Sequence, residues 1–100
     1  MFTTLQTTRF EAWHTGLKDR RAAGIVTARI ARIEAGNFGD AKSVGDKVSE
    51  LRIAFGPGYR LYFTIKGGEL VILLVGGDKG SQARDIDAAK EMAAEIHAGP

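Results

Sequence analysis

Residues 50–66, ELRIAFGPGYRLYFTIK, predict two β-strands joined by a tight turn, and the fold expected for the rest of the chain depends on them. Gly56-Pro57-Gly58 is the turn, because glycine and proline supply the backbone angles that a chain reversal requires. On both sides of it, apolar and polar residues alternate with a period of two, which places them on opposite faces of a sheet. One face would carry Leu51, Ile53, Phe55, Leu61, Phe63 and Ile65, and the other Glu50, Arg52, Ala54, Arg60, Tyr62 and Thr64.

If the apolar set faces the core, Arg52, Arg60 and Tyr62 lie together on an uncovered face of the sheet. Arginine is a permanent cation whose planar fork of donors matches phosphate oxygens. A tyrosine ring can stack on a nucleobase. This face therefore predicts a phosphate-handling surface, although polar residues on the solvent side of any small sheet produce the same pattern.

Composition places the chain among globular proteins. Its 100 residues suit one domain spanning residues 1–100, with 44% hydrophobic and 26% charged residues. The absence of cysteine excludes disulfides, thiol nucleophiles and cysteine metal sites. No apolar run reaches the ~18 residues of a membrane span. The start, MFTTLQTTRF, does not read as a signal peptide. We expect a cytoplasmic protein with no membrane partner.

Positive charge is concentrated in the first two thirds of the chain. Residues 1–66 hold 11 Lys and Arg against 6 Asp and Glu, whereas residues 67–100 hold 3 against 6. Such a surface can meet nucleic acid or an acidic partner, and a solvated surface of mixed charge explains it equally. The same two interpretations apply to a basic helix face made of Lys18, Arg20, Arg21, Arg29 and Arg32.

The remaining elements follow from capping residues and periodicity. In chain order they are a strand at 2–6, a helix capped by Thr7 or Thr8, a helix at 19–35 ended by Gly36, a loop at 36–46, the strand pair, a buried strand at 69–75, a glycine break at 76–80, and a helix from Ser81 to Gly99-Pro100. In the last helix Asp85 is expected in solvent. This order, β-α-α-β-β-β-α, predicts an α+β fold: a small antiparallel-rich sheet, an N-terminal helical hairpin on one face, and a C-terminal helix.

Lys79 is a third candidate cation, at the end of the strand that follows the pair. Neighbouring positive charge favours the neutral form of a lysine, which can then act as a base. The surrounding turn, Gly76 to Ser81, could offer free amides to an anion, or it could only end the strand and begin the helix. The two histidines, His14 and His97, are too far apart in sequence for a ligand-spaced pair, so no metal site is predicted.

A family resemblance rests on several short motifs that follow one another along nearly the whole chain. The chain resembles RelE/HigB-type toxins of bacterial type II toxin–antitoxin systems, within the RelE/ParE superfamily, and in particular the addiction module killer protein group. The motifs are FEAW at 10–13, GNFGD at 36–40, ELRI at 50–53, GPGYRLYF at 56–63, LVGGDK at 74–79, SQ at 81–82 and DI at 85–86.

The resemblance implies a RelE-like fold that cleaves mRNA in the ribosomal A site without a metal or other cofactor, and an antitoxin, typically encoded beside it, that wraps the toxin. In such enzymes the RNA 2′-hydroxyl attacks the adjacent phosphate, leaving a cyclic phosphate and a free 5′-hydroxyl. Arg52 and Arg60 would hold the phosphate and Lys79 would transfer the proton. Glu50 is a weaker candidate base, or a partner that orients Arg52. The expected RNA contacts are Tyr59, Tyr62, Glu50, Gln82 and Arg29.

RelE also has a catalytic-site tyrosine near its C-terminus, whereas no aromatic ring of Phe, Tyr or Trp follows Phe63 here. Tyr59 or Tyr62 would have to stack the base instead. Two alternatives remain within the same fold: a ParE-like poison of DNA gyrase, and a non-catalytic member that binds antitoxin or RNA. Three cations in strand register favour the nuclease, because inhibition by binding does not require a clustered phosphate site.

Overall fold

The computed structural model describes residues 1–99 and contains one mixed sheet with helices on both faces. The strand order is β1-β5-β4-β3-β2, with β1 and β5 parallel and the other neighbours antiparallel. This confirms the α+β class. The elements are β1 (Thr3–Gln6), α1 (Thr8–Thr15), α2 (Arg20–Glu34), β2 (Ala41–Gly45), β3 (Val48–Ile53), β4 (Tyr59–Lys66), β5 (Leu70–Asp78), a 3₁₀ turn (Lys79–Ser81) and α3 (Gln82–Ala98).

The ends of the first two helices lie where the capping residues predict. The Thr7 hydroxyl accepts the amide of Phe10 at the start of α1. The Asp19 carboxylate accepts two amides of the first turn of α2. At the other end of α2, Gly36 takes a φ of 92°, and its amide and that of Asn37 bond back to the last turn.

Helices α1 and α2 pack on one face of the sheet, which confirms the predicted helical hairpin. Their apolar stripes meet the inward side chains of β3, β4 and β5, so this face forms the larger core. Its buried members are Phe10, Val26, Ile30, Ile33, Leu51, Ile53, Leu61, Phe63, Val71 and Leu73.

Helix α3 covers part of the opposite face, so the expectation that this face is uncovered is wrong. The small side chains of Ala89 and Ala93 let α3 approach the sheet and bury Tyr62. With helices on both faces, β5 is buried on both sides, as its continuous apolar run predicts. The second core contains Val48, Tyr62, Leu74, Val75, Ala89 and Ala93.

Two segments predicted to be irregular are strands. Residues 41–45 form the edge strand β2 inside the predicted loop at 36–46. Strand β5 continues to Asp78 through the predicted glycine break. The glycines there permit close packing: a Cβ on Gly76 would overlap the Trp13 ring, and one on Gly77 would overlap the Asp85 carboxylate.

Asp85 is 4% exposed, so its predicted position in solvent is also wrong. It accepts a hydrogen bond from the Ser81 hydroxyl and lies 3.7 Å from an Arg9 guanidinium nitrogen. Gly99 follows the last helix, and Pro100 lies outside the described residues. Among residues 1–99, no helix has the length and apolar character that crossing a membrane requires.

Candidate functional site

Strand register brings four of the predicted site residues together on the α3 side of the sheet. Glu50 on β3 lies opposite Tyr62 on β4, and Arg52 lies opposite Arg60. Directly opposed side chains of an antiparallel pair are close enough to interact. The alternation that predicted this face is therefore correct, even though the face is partly covered.

Glu50 is the centre of this group and is fully buried. Its Oε1 accepts hydrogen bonds from Arg52 Nε at 3.0 Å and from Arg60 Nη1 at 3.1 Å. Its Oε2 accepts from the Tyr62 hydroxyl at 3.0 Å and from Gln82 Nε2, in the first turn of α3, at 2.8 Å. We call these five residues the Glu50 cluster.

The cluster keeps Glu50 ionised. Burial raises the pKa of a carboxylate, but here the hydrogen bonds from Gln82, Arg52 and Tyr62 and the charge of Arg60 outweigh it and lower the pKa of Glu50 below 4.5. Burial and the contact with Glu50 raise the pKa of the Tyr62 hydroxyl, which stays protonated. Glu50 thus serves as a fixed anionic anchor for two arginines, and all four of its contacts are donors.

The two arginines differ in exposure. The Arg52 side chain is 40% exposed and that of Arg60 is 12% exposed. Within residues 1–99, the buried Arg60 Nε has no hydrogen-bond partner. Beside them lies a surface cleft of about 260 Å³, which we call the arginine cleft. Its walls are Asp40, Arg52, Ile53, Ala54, Gly58, Tyr59 and Arg60.

Tyr59 and Lys79 lie at the same end of the sheet as this cleft. Tyr59 pairs with Asp78 across β4 and β5. Tyr59 is half-buried, and the centroid of its ring lies 6.2 Å from that of Trp13. Lys79 follows directly and is exposed. A Cβ on Gly58 would lie 3.8 Å from the Lys79 Cβ, so the lysine stem lies against the turn that borders the cleft.

The turn around Lys79 does not offer an anion the amides that the sequence suggested. The Asp78 carboxylate accepts the amides of Gly80 at 2.8 Å and Ser81 at 3.2 Å. These two amides are therefore occupied within the turn, which fixes the backbone beside Lys79.

Four of the predicted RNA contacts make hydrogen bonds within the fold: Glu50, which is fully buried, Tyr62, Gln82 and Arg29. The prediction that Tyr62 stacks on a base is wrong, because its side chain is fully buried. Gln82 is half-buried and bonded to Glu50. Arg29 is half-buried and donates to the carbonyl oxygens of Phe38 and Arg52, both at 3.4 Å.

Asp40 lines the cleft and is missing from the predicted site. Its signal in the sequence is its place at the end of the GNFGD motif, immediately before β2. Within residues 1–99, no three His, Asp or Glu side chains gather into a group that could hold a metal ion.

Comparison with known proteins identifies a family and a relative of this chain. A model of the phage-derived Gp49-like protein family (DUF891) matches residues 17–95, a segment that contains the Glu50 cluster, the arginine cleft and Lys79. An uncharacterised protein of Haemophilus influenzae is 51% identical over 90 residues, which cover 90% of this chain and 91% of that protein. The chain therefore belongs to the Gp49-like family, which is associated with toxin–antitoxin systems and RelE/ParE-like toxins.

Proposed function

We propose that this protein is the toxin of a type II toxin–antitoxin system and a metal-independent, ribosome-dependent mRNA endonuclease of the RelE/HigB type, acting in the cytoplasm. One observation carries the proposal. A buried, ionised Glu50 fixes Arg52 and Arg60 at the wall of an open cleft, and an exposed Lys79 lies against Gly58, which borders that cleft. This arrangement supplies fixed positive charge and a candidate proton-transfer group at the same end of the sheet.

The arginines suit the phosphate at the scissile bond. Attack of the RNA 2′-oxygen on phosphorus places additional negative charge on the non-bridging oxygens. Preorganised donors aimed at such charge typically contribute about 10²–10³ in rate each. Arg52 retains exposed donors after bonding Glu50 through Nε, and Arg60 is held in the adjacent position.

Lys79 is the proposed proton-transfer residue. In its neutral form it takes the proton of the 2′-hydroxyl while the O2′–P bond forms and the P–O5′ bond breaks. The leaving 5′-oxygen then receives a proton, from Lys79 or from water, and becomes a 5′-hydroxyl. Glu50 is unsuited to this role, because it is buried and accepts four hydrogen bonds.

Primer extension on translated mRNA after induction in cells tests this proposal. Wild-type protein should produce cuts within codons, and Lys79→Ala and Arg52→Ala should abolish them. Lys66→Ala removes an exposed lysine side chain at the other end of β4 and should leave the cuts unchanged. Loss of plasmid supercoiling with intact mRNA would contradict the proposal and indicate a gyrase poison.

The proposed partner is a small antitoxin encoded by an adjacent gene. Co-expression of the two genes should yield a complex that copurifies and no longer inhibits growth. A protein that is harmless when expressed alone would contradict the toxin assignment.

A further inference from the structure

Asp40 is a charged wall of the arginine cleft that the proposed cleavage step does not use. Asp40 is exposed, and within residues 1–99 its carboxylate makes no hydrogen bond or ion pair. Its backbone oxygen accepts the amide of Arg52 at 2.9 Å. The cleft therefore places an unpaired anion beside two cations and the ring of Tyr59.

The segment that carries Asp40 is anchored from behind. Arg29 bridges the carbonyl oxygens of Phe38 and Arg52. Gly39 adopts a φ of 67°, and a Cβ there would lie 2.6 Å from Arg29 Nη2. The Asn37 side chain accepts the Gly39 amide at 3.1 Å. These contacts hold the backbone at Asp40 and so fix the point from which its carboxylate reaches the cleft.

A carboxylate selects among nucleobases by their hydrogen-bond donors. Ionised aspartate only accepts, through two oxygens. Guanine presents N1–H and the N2 amino group side by side, which matches both oxygens. Adenine and cytosine each offer an amino group next to a ring acceptor, and the N3–H of uracil lies between two carbonyl oxygens that a carboxylate repels. Bases in single-stranded RNA are read on these edges.

We infer that the arginine cleft binds one nucleoside and that Asp40 makes it selective for guanine. Asp40 accepts from N1–H and N2–H, the Tyr59 ring packs on the base, and Arg52 and Arg60 take the adjoining phosphate. The volume of the cleft, about 260 Å³, lies below the roughly 300–1,000 Å³ of pockets for drug-sized ligands, which limits it to one base with its sugar and phosphate at the open rim. The inference rests on the proposed action on RNA and specifies which base binds at the cleaved site.

Binding of short RNAs tests it without requiring cleavage. Fluorescence anisotropy would compare labelled UUGUU, UUIUU and UUAUU, each 2′-O-methylated to prevent cleavage; inosine lacks only the N2 amino group of guanine. Wild-type protein should bind the guanine oligomer roughly tenfold to a hundredfold more tightly than the adenine oligomer, with inosine between them. Asp40→Asn should remove most of this preference.

Asp46→Asn is the matched control, because Asp46 is an exposed aspartate in the turn at the opposite end of β3. It should keep the guanine preference. The inference is overturned if Asp40→Asn preserves the guanine preference or weakens the binding of all three oligomers equally. It is also overturned if the wild-type protein binds none of them, whereas cuts in translated mRNA would still support the nuclease assignment.

Discussion

Glu50 lies directly opposite Tyr62 across β3 and β4, and the Tyr62 hydroxyl donates a 3.0 Å hydrogen bond to Glu50 Oε2. The pair is fully buried beneath α3. A buried carboxylate is tolerated when it is fully hydrogen-bonded and paired with charge. Two of the four donors to Glu50, Arg52 and Arg60, are also the proposed phosphate ligands, so contacts to one carboxylate support both the fold and the site.

Removing Glu50 should therefore destabilise the protein strongly. Glu50→Ala leaves two arginines, the Tyr62 hydroxyl and the Gln82 amide without their shared acceptor. Breaking a buried ion pair from one side costs about 3–5 kcal/mol in the free energy of unfolding. Urea denaturation followed by circular dichroism measures this loss.

Glu95→Ala on the exposed side of α3 is the control for this variant and should change the free energy of unfolding by less than about 0.5 kcal/mol. Equal stabilities of the two variants would show that Glu50 is not the structural anchor that we describe.

The stability of the cluster should depend on pH in acid. Because folding lowers the pKa of Glu50 below 4.5, its contribution is present above pH 4.5 and is lost as the pH falls through the folded-state pKa. The difference in unfolding free energy between the wild-type protein and Glu50→Gln should therefore be largest at neutral pH and shrink in acid. Urea titrations between about pH 7 and pH 3 measure it; a difference that stays constant or grows in acid would refute the lowered pKa.

Substitutions of Tyr59 and Tyr62 should have different effects on the affinity for RNA. Tyr59→Ala should weaken binding of a single-stranded oligoribonucleotide by the ~1–3 kcal/mol of one stacked base, and Tyr59→Phe should retain it. Tyr62→Phe keeps the buried ring and removes only the hydroxyl bonded to Glu50, so it should weaken binding much less than Tyr59→Ala does. Anisotropy titrations measure the RNA affinities of the three variants. An affinity that falls with Tyr62→Phe but not with Tyr59→Ala would place the base elsewhere.

The glycines of β5 should tolerate no side chain. In Gly77→Ala the new methyl group would overlap the Asp85 carboxylate and crowd the Ser81 hydroxyl, so we expect a loss of about 1–3 kcal/mol. Gly24→Ala provides the contrast, because nothing lies within 4 Å of its Cβ position in the middle of α2. That change should stabilise the protein by roughly 0.5–1 kcal/mol. Thermal unfolding of both variants tests the pair, and a Gly77→Ala protein as stable as wild type would contradict the packing.

Local chemistry was enough to predict the central strand pair and its helices. A period of two, broken at Gly56-Pro57-Gly58, determines which residues share a face. Asp19 and Gly36 mark the ends of α2 because their capping geometry depends on the adjacent residues. These are short-range effects, and the structure confirms them.

Long-range packing explains what the sequence did not reveal. Alternation separates two faces but does not say which of them α3 covers, so Tyr62 and Glu50 looked exposed. Strand β2, with the sequence AKSVG, lacks a strong apolar pattern and forms by pairing with β3. Asp40 enters the site only because β2 brings the preceding loop beside Arg52.

The chemical ends left on cut mRNA test the central claim most directly. Transcripts from cells that express the wild-type protein would be ligated to an adaptor at their 5′ ends, with and without prior kinase treatment, and their 3′ ends would be assayed for cyclic phosphate. Attack by the 2′-hydroxyl predicts 5′-hydroxyl ends, which ligate only after kinase treatment, and 2′,3′-cyclic phosphates, both absent with Lys79→Ala. Cut ends that carry a 5′-phosphate, or no cuts at all, would contradict the proposed function.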